Sequence, residues 1–123
     1  MVPVTKRDDH LIALVAALDA IEAAAGDNAE RSLEIQARAR SLRSGLDAGE
    51  PLVDLVRDEP RPSTVELLST NMATLETAGA QLRAAKALAL RAEGLTIEAI
   101  AGLFGVTRQR ISALLRQKAA AEV

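Results

Sequence analysis

The sequence predicts an all-α fold: an N-terminal helical hairpin, a long central helix, and a C-terminal three-helix unit that includes the end of that helix. Apolar residues recur three and four positions apart along the whole chain, which is the spacing of one helix face, and no stretch alternates at two as a half-buried strand would. Helix-starting polar residues and glycines then divide the chain into segments of helical length. The 123 residues suit one compact domain with an appendage.

The first two helices are predicted on either side of Gly26. Thr5 and Asp8 match a capping box, and an apolar stripe follows between Leu11 and Ala25. Gly26 suits the left-handed residue that ends a helix, and a second helix is predicted from there to Gly49. Because so short a connection forces neighbouring helices to run antiparallel, these residues predict a hairpin.

Prolines bracket Leu52 to Val56, which we predict to be one short helix or an ordered turn. A capping box at Ser63 then opens a long helix that Gly94 ends. The apolar stripe of this helix resembles a coiled-coil seam and predicts homodimerisation, with a ligand pocket as the alternative. The predicted dimerisation residues are Val65, Leu68, Met72, Leu75 and Leu82. We therefore divide the chain into a helical bundle and dimerisation region, 1–81, and a C-terminal domain, 82–123.

The stretch from Gly94 to Leu115 predicts two short helices joined by a glycine turn. Thr96 can cap the first helix and Thr107 the second, while Gly105 suits a left-handed backbone between them. Val106 is predicted to fill the corner. The residues predicted to face inward are Ile97, Ile100 and Ala101 in the first helix, and Ile111, Leu114 and Leu115 in the second.

The spacing of Ala101, Gly105, Val106 and Ile111 resembles the helix-turn-helix pattern of bacterial regulators. The stretch "GLTIEAIAGLFGVTRQRISALL" is especially similar to the promoter-reading C-terminal domain of sigma factors and to the DNA-binding end of serine recombinases. With the preceding helix it spans residues 82–117, roughly a third of the chain, and no likeness extends to the first eighty residues. The resemblance implies a three-helix helix-turn-helix domain.

The resemblance further implies sequence-specific binding of double-stranded DNA by a transcriptional regulator, with the second helix of the motif in the major groove. Arginine and glutamine suit this task because they can bind guanine and adenine through paired hydrogen bonds. The implied base contacts are Arg108, Gln109, Ser112, Ala113 and Arg116. The implied phosphate contacts are Thr96, Thr107, Arg110 and Lys118. Residues 82–118 contain seven Lys and Arg against two Asp and Glu, whereas the whole chain has net charge −2.

Two other functions stay open: a protein-interaction module of the transcription machinery that uses the fold as a scaffold, and a phage or recombination accessory DNA-binding protein. The chain has no cysteine, Phe104 is its single aromatic residue, and His10 has no accompanying nucleophile set. No glycine-rich loop could hold a phosphate. We therefore expect no enzymatic activity, no cofactor and no metal. The longest apolar run, Leu11 to Leu18, is too short for a bilayer, so we expect a cytoplasmic protein.

Overall fold

The computed structural model describes the backbone of residues 6–121 and the side chains of residues 8–116. This part of the chain forms α1 (Lys6–Asp47), α2 (Leu52–Arg57), α3 (Thr64–Ala92), α4 (Ile97–Phe104) and α5 (Arg108–Ala121). It contains no strand, so the all-α class is confirmed. No helix among the described residues has the length and apolar character needed to cross a membrane. The predicted cap Thr5 and the side chain of Lys118 lie outside the described residues.

The predicted N-terminal hairpin is wrong, because α1 is one helix of 42 residues that passes through Gly26. Gly26 is not among the glycines with positive φ. A glycine inside a helix costs only about 1 kcal/mol relative to alanine, which packing of the flanking turns readily outweighs. Such packing is present just beyond Gly26, where the Asn28 side chain is buried and donates a hydrogen bond to the Asn71 carbonyl of α3 at 2.9 Å.

The predicted boundaries at Gly49, Ser63 and Gly94 are confirmed. Gly49 and Gly94 follow α1 and α3 with φ of 80° and 99°, values that favour glycine. The short helix between the prolines is α2. At the start of α3, the Ser63 hydroxyl accepts a hydrogen bond from the Glu66 backbone N–H at 3.2 Å, as the capping box predicts.

The described chain divides into two compact units that do not follow the helix boundaries. Unit 1 contains α1 up to Glu22 and the chain from Thr77 onward, and unit 2 is Ala23–Glu76. Helices α1 and α3 are therefore each divided between the two units. The predicted boundary between residues 81 and 82 falls inside α3, and the sequence did not predict that the start of α1 would belong with the C-terminal helices.

Unit 1 has an apolar core built from the end of α3, α4 and α5. The buried members of this cluster are Ala87, Ile100, Ala101, Ile111 and Leu114, and the partly buried residues packed against it are Leu90, Leu95, Ile97, Phe104 and Leu115. The predicted inward faces of both short helices are thus confirmed. Val106 is the exception: it is 41% exposed and does not fill the corner, because the apolar side chain packed on the core at this turn is Phe104.

In unit 2, a polar network joins α1 to α3. Arg31 donates from Nη1 to Oδ1 of Asn28 at 3.0 Å and to Oδ1 of Asn71 at 2.8 Å. Asn71 in turn donates to the Ser32 hydroxyl at 3.2 Å. Farther along α1, Arg38 donates to the carbonyl of Pro60 at 2.9 Å. Asn28 contacts Asn71 and Arg38 contacts Pro60, so residue numbers fall along the later segment as they rise along α1. The two segments therefore run antiparallel.

The corner between α2 and α3 is held by Glu59. Its carboxylate accepts hydrogen bonds from both the hydroxyl and the backbone N–H of Thr64, the first residue of α3. Arg38 lies 3.7 Å from the same carboxylate oxygen. The hydrogen bonds from Thr64, with a smaller contribution from the Arg38 charge, hold the pKa of Glu59 below its usual value. Glu59 thus stabilises the start of α3 in its ionised form.

Candidate functional site

The turn between α4 and α5 is defined by its backbone. Gly105 ends α4 with φ 68° and ψ 32°, which is the left-handed conformation. Its N–H bonds the Gly102 carbonyl at 3.3 Å, and the N–H of Val106 bonds the Ala101 carbonyl at 3.1 Å. This pair of bonds is the Schellman arrangement. A Cβ on Gly105 would meet no atom within 4 Å, so the turn needs glycine for its φ and not for space.

Threonine hydroxyls begin both helices of this region. Thr96 Oγ1 accepts from the N–H of Ala99 at 3.1 Å, and Thr107 Oγ1 accepts from the N–H of Arg110 at 3.2 Å. Each therefore satisfies one of the N–H groups that a helix start leaves unpaired. Both threonines are exposed, so their hydroxyl hydrogens can still donate to a ligand.

The buried residues of α5 determine which of its other residues face outward. Ile111 is fully buried and Leu114 is 7% exposed, both within the core that α4 completes. A helix that buries these two positions must turn the remaining positions of its first turns outward. Arg108, Gln109 and Arg110 are accordingly exposed.

Four of the five predicted base-contact residues lie together on this outward surface. Arg108, Gln109, Ser112 and Arg116 line one shallow depression, which we call the α5 face. Ser112 is half-buried and the other three are exposed. The fifth residue, Ala113, is half-buried and is not among those lining the depression. The α5 helix contains no acidic residue.

One residue that the sequence did not predict also belongs to this site. Nη1 of Arg108 lies 3.3 Å from Oε1 of Glu98, with the two side chains 64% and 76% exposed. Glu98 stands in the first turn of α4, where a negative charge is favoured by the helix dipole. Its acidic character at a helix start was visible in the sequence, but its approach to Arg108 required the angle between α4 and α5. An exposed pair of this kind contributes only about 0–1 kcal/mol, so a competing anion or base can release the guanidinium.

The predicted phosphate contacts Thr96, Thr107 and Arg110 are all exposed. No group of three or more His, Asp or Glu side chains suited to a metal ion occurs among the described residues. Comparison of the chain with protein-family models, with curated proteins and with solved structures found no match. The site is therefore interpreted from its own geometry.

Proposed function

We propose that this protein is a sequence-specific binder of double-stranded DNA and a transcriptional regulator, in which α4, the Gly105 turn and α5 act as a helix-turn-helix and α5 enters the major groove. The observation that carries the proposal is the α5 face: donor and acceptor side chains gathered on one side of a short helix whose opposite side is anchored by Ile111 and Leu114. Anchored helices of this kind can place side chains against base edges reproducibly.

The residue types on the α5 face suit base recognition. Arg108 or Arg116 can donate two hydrogen bonds to guanine, Gln109 can pair with adenine, and Ser112 can donate or accept. In this proposal Arg108 exchanges its exposed ion pair with Glu98 for a base. The exposed residues Thr96, Thr107 and Arg110, with Lys118 beyond the described side chains, bind phosphates and set the register without reading sequence.

We further propose that the protein acts in a bacterial cytoplasm as a homodimer. A single small DNA-binding unit buries limited surface on one half-site and gains both affinity and specificity from a second. A two-fold dimer would recognise an inverted repeat whose half-sites are separated by about one DNA turn, roughly 34 Å, or a multiple of it.

The experiment is selection of bound duplexes from a random library, followed by titration of the enriched site over a series of salt concentrations. Arg108→Ala or Gln109→Ala should weaken binding by about 1–3 kcal/mol and relax the choice of base at one position. Arg110→Ala should instead weaken all duplexes alike and lower the salt dependence by about one ion. Arg40→Ala, which removes an exposed arginine of α1, is the matched control and should leave binding unchanged.

Unchanged affinity in both the Arg108 and the Gln109 variants would contradict the placement of α5. Absence of any salt-sensitive binding to duplex DNA would contradict the whole proposal and favour a protein-interaction module of the transcription machinery. A phage or recombination accessory protein would share the DNA chemistry of this site and differ in its biological setting.

A further inference from the structure

Glu98 is the one acidic residue in the part of the sequence that forms α4 and α5. Between Gly94 and Ala121 it is accompanied by four Lys and Arg. Its carboxylate contacts Arg108, so it lies beside the α5 face. The dipole of α4 favours a negative charge in this turn, but it does not require contact with a residue of the α5 face. A carboxylate brought close to DNA phosphates is repelled by them, so it needs a hydrogen-bond donor there.

The head groups of Glu98 and Arg108 occupy neighbouring positions on the surface. Oε1 of Glu98 lies 3.3 Å from Nη1 of Arg108, and both side chains are exposed. Successive base pairs of DNA are separated by about 3.4 Å, so one guanidinium and one carboxylate at this spacing can meet groups on two successive base pairs. Because the exposed pair is weak, both side chains can leave each other for such groups.

We propose that Glu98 is a second base-reading residue, whose carboxylate accepts a hydrogen bond from the N4 amino group of a cytosine. This cytosine lies in the base pair next to the guanine that Arg108 binds. The inference rests on the proposed function and deepens it, because it names part of the DNA sequence that the site selects: a guanine and a cytosine in neighbouring base pairs.

Cytosine is the base whose major-groove edge suits a carboxylate. A carboxylate accepts hydrogen bonds and donates none. In the major groove guanine and thymine present acceptors, which repel it, whereas cytosine and adenine present amino groups. The amino group of adenine stands beside the N7 acceptor, while that of cytosine has no acceptor next to it on its own base. Any base other than cytosine would therefore leave Glu98 poorly paired once Arg108 has moved to guanine.

The first test compares dissociation constants for the enriched duplex and for duplexes changed at one base pair. The guanine is identified as the position where Arg108→Ala relaxes the choice of base. For the wild type, replacing the neighbouring C·G pair by T·A should raise the dissociation constant about tenfold. Glu98→Ala should remove this cytosine preference and keep the guanine preference. Glu98→Gln should shift the preference to adenine, which an amide can bind through two hydrogen bonds.

The second test uses N4-methylcytosine at the same position. This base still pairs with guanine, but its methyl group replaces the amino hydrogen that faces the major groove. The wild type should bind the methylated duplex about tenfold more weakly, whereas Glu98→Ala should bind both duplexes equally. The matched control is Glu22→Ala, which removes an exposed carboxylate from the α1 segment of unit 1 and should retain the wild-type response to methylation.

The outcomes separate this inference from the proposed function. If Glu98→Ala loses the guanine preference and keeps the cytosine preference, Glu98 only orients Arg108 and the inference is overturned. An enriched site without this cytosine, or equal wild-type affinity for the methylated and unmethylated duplexes, overturns it as well. In each of these cases salt-sensitive duplex binding leaves the proposed function standing. A wild-type protein that binds no duplex overturns both.

Discussion

The α4–α5 region and unit 2 use apolar residues in opposite ways. In the first, Ile100 and Ile111 are fully buried and the polar side chains of the α5 face point outward. In unit 2, polar side chains join α1 to α3, while Val65 and Met72 remain more than half exposed. The first arrangement holds its exposed residues in place by its own core. The second leaves the largest apolar side chains of α3 exposed.

The polar network of unit 2 is suited to setting register. A buried hydrogen-bonded asparagine contributes little net stability, but it disfavours alignments in which it would lose its partners. Asn28 is such a residue, since sliding α1 along α3 would separate its amide from the Asn71 carbonyl, now 2.9 Å away. Unit 2 thus specifies how α1 and α3 align without burying the most apolar residues of α3.

Truncating one apolar residue in each region should produce the largest difference between them. Ile111→Ala should lower the free energy of unfolding by about 2–5 kcal/mol, because it opens a cavity in a closed core. Met72→Ala should change the stability of the isolated protomer by no more than about 0.5 kcal/mol, because that side chain is 67% exposed. Urea unfolding at low protein concentration measures both values.

Repeating the unfolding at high concentration sharpens this test. If the protein is the proposed homodimer and Met72 lies in its interface, the Met72→Ala protein should there be less stable than the wild type, because association stabilises the folded chain. Equal losses for the two variants at low concentration would show that Met72 is covered within a single chain.

Substitution of two glycines by alanine should have smaller effects, of opposite sign. The sequence predicts a helix end at both Gly26 and Gly105. Gly26→Ala should raise the free energy of unfolding by about 0.5–1 kcal/mol, because Gly26 is helical and a Cβ there meets no atom within 4 Å. Gly105→Ala should lower it by about 1 kcal/mol, because φ at Gly105 is 68°. Thermal unfolding followed by circular dichroism measures both. A destabilised Gly26→Ala protein would indicate that α1 breaks at this residue.

The smallest expected effect is a pH dependence at the α2–α3 corner of unit 2. Because hydrogen bonds from Thr64 lower the pKa of Glu59 below its usual 4.5, its contribution to stability is present above pH 4.5. That contribution is lost as the pH falls through the lowered pKa. Glu59→Gln should therefore be less stable than the wild type at neutral pH, and this difference should shrink in acid.

Denaturant titrations between pH 3 and pH 7 measure this dependence. Glu30→Gln, which removes an exposed carboxylate from α1, serves as the control for general charge effects. A wild-type protein and a Glu59→Gln protein that lose stability in parallel on acidification would contradict the role given to Glu59.

The sequence by itself determined the features that depend on local chemistry. The left-handed residues Gly49, Gly94 and Gly105 end helices because glycine adopts positive φ at little steric cost. Thr96 and Thr107 begin helices because a hydroxyl can accept the next free N–H groups. The inward faces of α4 and α5 followed from helical periodicity, and with them the outward position of the α5 face.

Only the tertiary structure decided which of several locally acceptable arrangements is adopted. Gly26 could end a helix or lie within one, and the difference of about 1 kcal/mol is settled by packing beyond it, including the bond from Asn28 to α3. The periodicity of α3 likewise showed an apolar face without showing whether its own chain covers it. The Glu98–Arg108 pair depends on the angle between two helices. Such features arise between segments distant in sequence, and helical periodicity carries no information about them.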